Sequence, residues 1–94
     1  MNLLLAEFRK AAHAGTAAAQ FDFGVMYIDG YGVIQDYVSA HMWINFAASK
    51  AFGEDQKEFA KARDTLAGLM SPAQIAEAQK LARDWKPTPK SKAE

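Results

Sequence analysis

The stretch that most constrains this chain is Asp29-Gly30-Tyr31-Gly32-Val33, because two apolar segments with helical spacing lead into and out of it. Ahead of the turn, in AAAQFDFGVMYI, residues Ala19, Phe23, Met26 and Tyr27 share one helical face. Behind it, in YVSAHMWINFAASKAF, residues Ala40, Trp43, Ile44, Ala47 and Ala51 do the same. An Asp-Gly pair between apolar runs is also a β-hairpin signal. Here, however, the flanks lack the apolar-polar alternation of strands, and the left one continues into alanine-rich AAAQ, which favours helix. The unit therefore reads as a helix-turn-helix hairpin in which Gly30 and Gly32 supply left-handed backbone.

Further elements can be placed on either side. Leu4, Phe8, Ala11 and Ala12 form a first helical stripe that stops at Gly15. Thr16 is placed to cap a second helix, Ala17 to about Ile28, with its hydroxyl; Asp36 is placed to cap the third, its carboxylate meeting free N–H groups and the positive end of the dipole. Past Gly53 a fourth helix is expected from Glu54 to Leu69, with acids early and Phe59, Ala62, Leu66, Leu69 and Met70 on its apolar side. Ser71-Pro72-Ala73-Gln74 then combines a serine cap, a proline at the first helical position and a glutamine at the third. This capping box starts a fifth helix carrying Ile75, Ala78, Leu81, Ala82 and Trp85. Lys86 to Glu94 has no apolar period and reads as a flexible tail.

The chain also echoes itself. Ala11-Ala12 recurs as Ala47-Ala48, 36 positions on, and Gly15 recurs as Gly53, 38 positions on, the spacing of a helical solenoid. The division that follows is a half repeat at 3–15, a full repeat at 16–53, closing helices at 54–85 and the tail at 86–94.

Composition narrows the function classes. Half of the 94 residues are hydrophobic and 23% are charged, enough apolar material for one core. Eleven basic residues balance eleven acidic ones, so no global field draws in nucleic acid or an anionic membrane. There is no cysteine, which removes disulfides, thiolate metal sites and a cysteine nucleophile. No stretch is long and apolar enough to span a bilayer, and the start does not read as a secretory signal, so a cytoplasmic protein is expected.

Catalytic and ligand-binding readings fare poorly against structural ones. His13 and His41 lie on different predicted helices with no histidine one turn away, so no metal site is expected, and His13 suits a helix C-terminus instead. Glu54, Asp55 and Glu58 are acids that an N-terminal dipole prefers, not an acid-base pair. Gly30 and Gly32 lack the strand-helix context of a phosphate-binding loop, so no cofactor is expected.

The residues Ala11-Ala12-x-x-Gly15, Ala19-Gln20, Phe23-Gly24-x-Met26-Tyr27, Gly30-x-Gly32-Val33, Gln35-Asp36-Tyr37, Ala40, Trp43 and Ala47-Ala48 together resemble the Sel-one-like repeats of the tetratricopeptide superfamily. The stretch from Arg63 through Met70-Ser71-Pro72-Ala73-Gln74 to Trp85 resembles the helices that close such arrays. The resemblance implies an all-α, right-handed alpha-alpha superhelix of about five helices. It further implies a non-enzymatic scaffold or adaptor that binds a protein partner, with self-association as one form of that role. The chain departs from the pattern in holding one complete repeat and half of another, too few for a long concave groove.

Two alternatives accompany this reading. The first is a beta-lactamase or penicillin-binding-like hydrolase of the same repeat family, and the second a small-ligand-binding regulatory domain. The hydrolase chemistry wants Ser-x-x-Lys, whereas Ser39, Ser49, Ser71 and Ser91 are followed three positions on by Met42, Phe52, Gln74 and Glu94. The candidate contact surface comes from the second helix, set out at about 100° per residue. Phe21, Val25 and Ile28 form an apolar cluster nearly opposite Ala19, Phe23 and Met26, and are expected to meet a partner unless the fourth and fifth helices bury them.

Overall fold

The computed structural model describes residues 7, 10–13 and 15–85. Among them every element of regular structure is a helix, with no strand. Helical residues at 7 and 10–13 precede α1 (Ala17–Asp29), α2 (Tyr37–Lys50), α3 (Gly53–Ala67) and α4 (Pro72–Asp84). The Leu4 and Phe8 stripe, most of the half repeat and the tail from Lys86 lie outside the described residues.

The turn between α1 and α2 is built by backbone that glycine alone adopts easily. Gly30 has φ 72° and Gly32 φ 77°, and the N–H groups of Gly30 and Tyr31 both donate to the Met26 carbonyl. Two neighbouring carbonyls at the end of α1 are satisfied from beyond the turn: the Asp36 N–H donates to Tyr27, and the Gln35 side-chain amide to Ile28. Asp36 then opens α2, its Oδ1 accepting from the N–H groups of Val38 and Ser39 at 3.1 and 3.3 Å. One short segment thus ends one helix and begins the next, which locks the hairpin.

Several expectations need correction. Thr16 stands at the cap of α1, but its exposed hydroxyl makes no capping bond; only its carbonyl takes part, accepting from the Gln20 N–H. The third helix does not reach Ala51, which its spacing sets on the helical face. It stops at Lys50, because Ala51 and Phe52 turn extended, and Gly53, with φ 66°, opens α3. The fourth predicted helix ends at Ala67, short of Leu69, where Gly68 and the N–H groups of Leu69 and Met70 close a tighter turn. Leu69 is consequently thrown outward, 65% exposed, rather than facing the core. At Ser71 the full capping box forms, with Gln74 Oε1 accepting from the Ser71 N–H and Ser71 Oγ from the Gln74 N–H.

The core is arranged around α2, which packs against α1, α3 and α4. On one side Trp43 and Met42 meet Phe23, Met26 and Ala12, with Phe46 and Trp85 packed against them. Trp43 makes an edge contact with Trp85 at 5.3 Å and a tilted one with Phe23 at the same separation, each worth about 0.5–1.5 kcal/mol beyond area burial. On the other side Ala40 and Ile44 meet Leu66, Met70 and Ala78. Small residues set the closeness of these crossings. A Cβ at Gly24 of α1 would lie 2.6 Å from Ile44 Cγ1 and 3.1 Å from the Ala40 carbonyl oxygen, and Ala40 and Ala47 are wholly buried.

Candidate functional site

The candidate contact residues Phe21, Val25 and Ile28 divide once the helices are in place. Phe21 lies flat against Phe59 of α3, ring centroids 4.4 Å apart and planes at 14°, and both Phe21 and Ile28 pack against the α2–α3–α4 side of the core. Neither is fully buried. Together with Phe59, Ala62, Leu66 and Leu69 they line a groove of about 490 Å³ that is open to solvent. Val25 is half-buried but does not line it. The fourth predicted helix therefore covers this face in part and leaves the rest of it open to solvent.

The groove follows from the order of the elements. α1 and α3 both pack against α2, and the stacked rings of Phe21 and Phe59 bring the two together at the groove. Side chains from both reach into the space between them. Glu58, Lys61 and Thr65, a turn apart along α3, give the apolar floor a polar edge. Among the described residues neither Glu58 nor Lys61 forms an ion pair; the neighbouring pair on that helix is Lys57 with Glu54, 3.7 Å apart and well exposed. Leu69 was assigned to the core by its spacing, and it is the residue that sequence reasoning placed least well. The signal that could have moved it outward is Gly68, which stands directly after the last helical residue, Ala67.

A second concavity, about 530 Å³, lies beside the hairpin turn between Tyr27, Val33, Ile34 and Asp36. Its most polar group is already committed, since both oxygens of the Asp36 carboxylate are engaged, Oδ1 with backbone and Oδ2 with the Ser39 hydroxyl at 2.8 Å. Gly30 and Gly32 build the turn, and Gly32 also lines this concavity.

The remaining candidates sit as follows. His13 rests edge-on against Trp43 at 5.1 Å and near Trp85 at 6.0 Å, inside an aromatic cluster. His41 is buried, and its Nδ1 has no hydrogen-bond partner. Burial holds its pKa below the ordinary 6.5; the Arg63 guanidinium pushes the same way, and the Asp64 carboxylate opposes them. No group of three or more histidine, aspartate or glutamate side chains is close enough to hold a metal ion among the described residues. The described serines are held in local structure: Ser39 Oγ donates to Asp36, Ser49 Oγ to the Phe46 carbonyl at 2.7 Å, and Ser71 Oγ accepts in the capping box. No described helix is long and apolar enough to cross a membrane.

Sequence reasoning gave no structural role to Gln20. It is fully buried and donates through Nε2 to the Ala12 carbonyl at 3.1 Å, tying α1 to the helical residues before it. A polar residue in the middle of AAAQFDF is the trace that such a tie leaves in a sequence.

Comparison of the chain with known protein families, with curated proteins and with solved structures finds no match.

Proposed function

We propose that this protein is a non-enzymatic protein-protein interaction module, a scaffold or adaptor of Sel-one-like repeat type, whose contact surface is the groove between α1 and α3. The observation that carries the reading is an apolar groove of about 490 Å³ open to solvent between α1 and α3. Leu69 stands 65% exposed at its edge, while Phe21 and Phe59 form a rigid aromatic floor. Aromatic side chains backed by a core, with a polar edge around them, are the composition of protein contact sites. The repeat resemblance supports the same use, because proteins built of stacked helical repeats serve as binding surfaces. The absence of Ser-x-x-Lys and the structural bonds of Ser39, Ser49 and Ser71 favour binding over hydrolysis.

The test places a photoreactive residue at Leu69 and, in a second variant, at exposed Lys50 at the end of α2. In living cells Leu69 should cross-link to a discrete protein, either another protein or a second copy of the chain, and Lys50 should not. Equal labelling from both positions, or none from either, would contradict the reading.

A further inference from the structure

His41 and Asn45 stand one turn apart on α2, and both meet the same stretch of α3. The buried His41 imidazole lies within the influence of Arg63 and Asp64, and Asn45 Oδ1 accepts from an Arg63 guanidinium N–H at 3.1 Å. Arg63 Nε in turn donates to Asp64 Oδ1, also at 3.1 Å. A neutral imidazole can leave Nδ1 as a bare lone pair, whereas the charged ring carries an N–H donor at both nitrogens. At His41 the donor on Nδ1 would be buried without an acceptor, in the field of a guanidinium. The Asp64 carboxylate offsets this only weakly, because its side chain is 72% exposed and screened by water, while that of Arg63 is 30% exposed. Among the described residues these two, both on α3, are the charged groups that act on the ring; none on α1 or α4 does.

The helix that carries them is lightly held. Leu66 is the one buried side chain of α3, and no side chain caps its N-terminus, where Phe52 stands. Apart from Leu66 it is fixed by Ala62, by the Phe21–Phe59 stack and by the Arg63–Asn45 bond. α1 and α4 each pack on α2 directly, so α3 can detach while they stay. We propose that His41 is an acid-sensitive latch for α3: when its imidazole takes up a proton, α3 leaves α2 and the α1–α3 groove comes apart. Release places the imidazolium in water and separates it from Arg63. It also withdraws Phe59, Ala62 and Leu66 from the groove, so acid switches the contact surface off. That consequence rests on the interaction-module reading; the release itself does not.

Amide hydrogen exchange of the whole chain at about pH 7.5 and about pH 5.5, with each rate corrected for the intrinsic effect of pH, tests the release. A single proton taken up with an ordinary pKa of about 6.5 in the open form raises the opening constant of α3 by at most about tenfold over that range. Protection across residues 59–66 should fall several-fold towards that limit, while residues 23–28 of α1 and 78–84 of α4 keep theirs. His41→Leu should abolish the fall. Arg63→Gln, which retains a donor for Asn45 but not the charge, should reduce it, and supplies the comparison if His41→Leu does not fold. Unchanged protection in α3 would overturn the latch, as would an equal fall in every helix, which is global unfolding, or an undiminished fall in either variant. The two readings fail separately. If α3 releases in acid but Leu69 cross-links to nothing at neutral pH, the interaction module falls and the latch stands; if Leu69 cross-links and α3 does not respond to acid, the latch alone falls.

Discussion

His41 shows how one residue ties the fold to solution conditions. Its imidazole is buried with Nδ1 unpartnered, so the charged form is disfavoured and its folded pKa lies below 6.5. Above that pH both folded and unfolded chains hold it neutral. As the pH falls through about 6.5 the unfolded chain takes up a proton that the folded chain resists, so stability drops until the folded pKa is reached. Urea unfolding at about pH 7.5 and about pH 5.5 should show the loss, and His41→Leu should flatten that part of the pH dependence. An unchanged slope in the variant would assign the effect to other groups. Sequence spacing gave His41 no such role, because burial depends on where α3 brings Arg63 and Asp64, and nothing local to YVSAHMWIN specifies that.

At the scale of the helices, legibility tracks how local the determinant is. The α1–α2 turn, the Asp36 cap and the Ser71 capping box were readable because each is settled by residues within a few positions of one another. Thr16 was read as a side-chain cap on residue type alone, and hydroxyl orientation decided otherwise. The end of α3 was placed two residues late because apolar spacing continues through Leu69, whereas Gly68 closes the turn earlier. Gly24 carries a determinant no local pattern reveals, the close approach of α1 to Ile44 and the Ala40 backbone. Replacing it with alanine would ordinarily strengthen a helix by about 1 kcal/mol. Here overpacking of about 1–3 kcal/mol should outweigh that gain, so chemical denaturation of Gly24→Ala should show a net loss of stability. A variant as stable as wild type or more so would mean that the α1–α2 crossing yields easily.

For the whole molecule, the groove between α1 and α3 was half legible. The helical wheel of α1 correctly isolated Phe21 and Ile28 as a second apolar face, but it could not show that α3 would supply Phe59, Ala62, Leu66 and Leu69 to the same groove. Nor could it show that Phe21 would be anchored by stacking, which makes a substitution there a test of the fold more than of the contact. Leu69 and Phe52, set outside the core, are the informative positions. The central claim, that the α1–α3 groove is the surface this protein uses, is met most directly by recording the amide and methyl resonances of isotope-labelled protein in dilute buffer and in concentrated cell extract. Shifts and broadening should centre on Ile28, Phe59 and Leu69 and spare Ser49 and Lys50. Changes centred instead on Tyr31 and Ile34 at the hairpin turn, or spectra that do not differ, would contradict it.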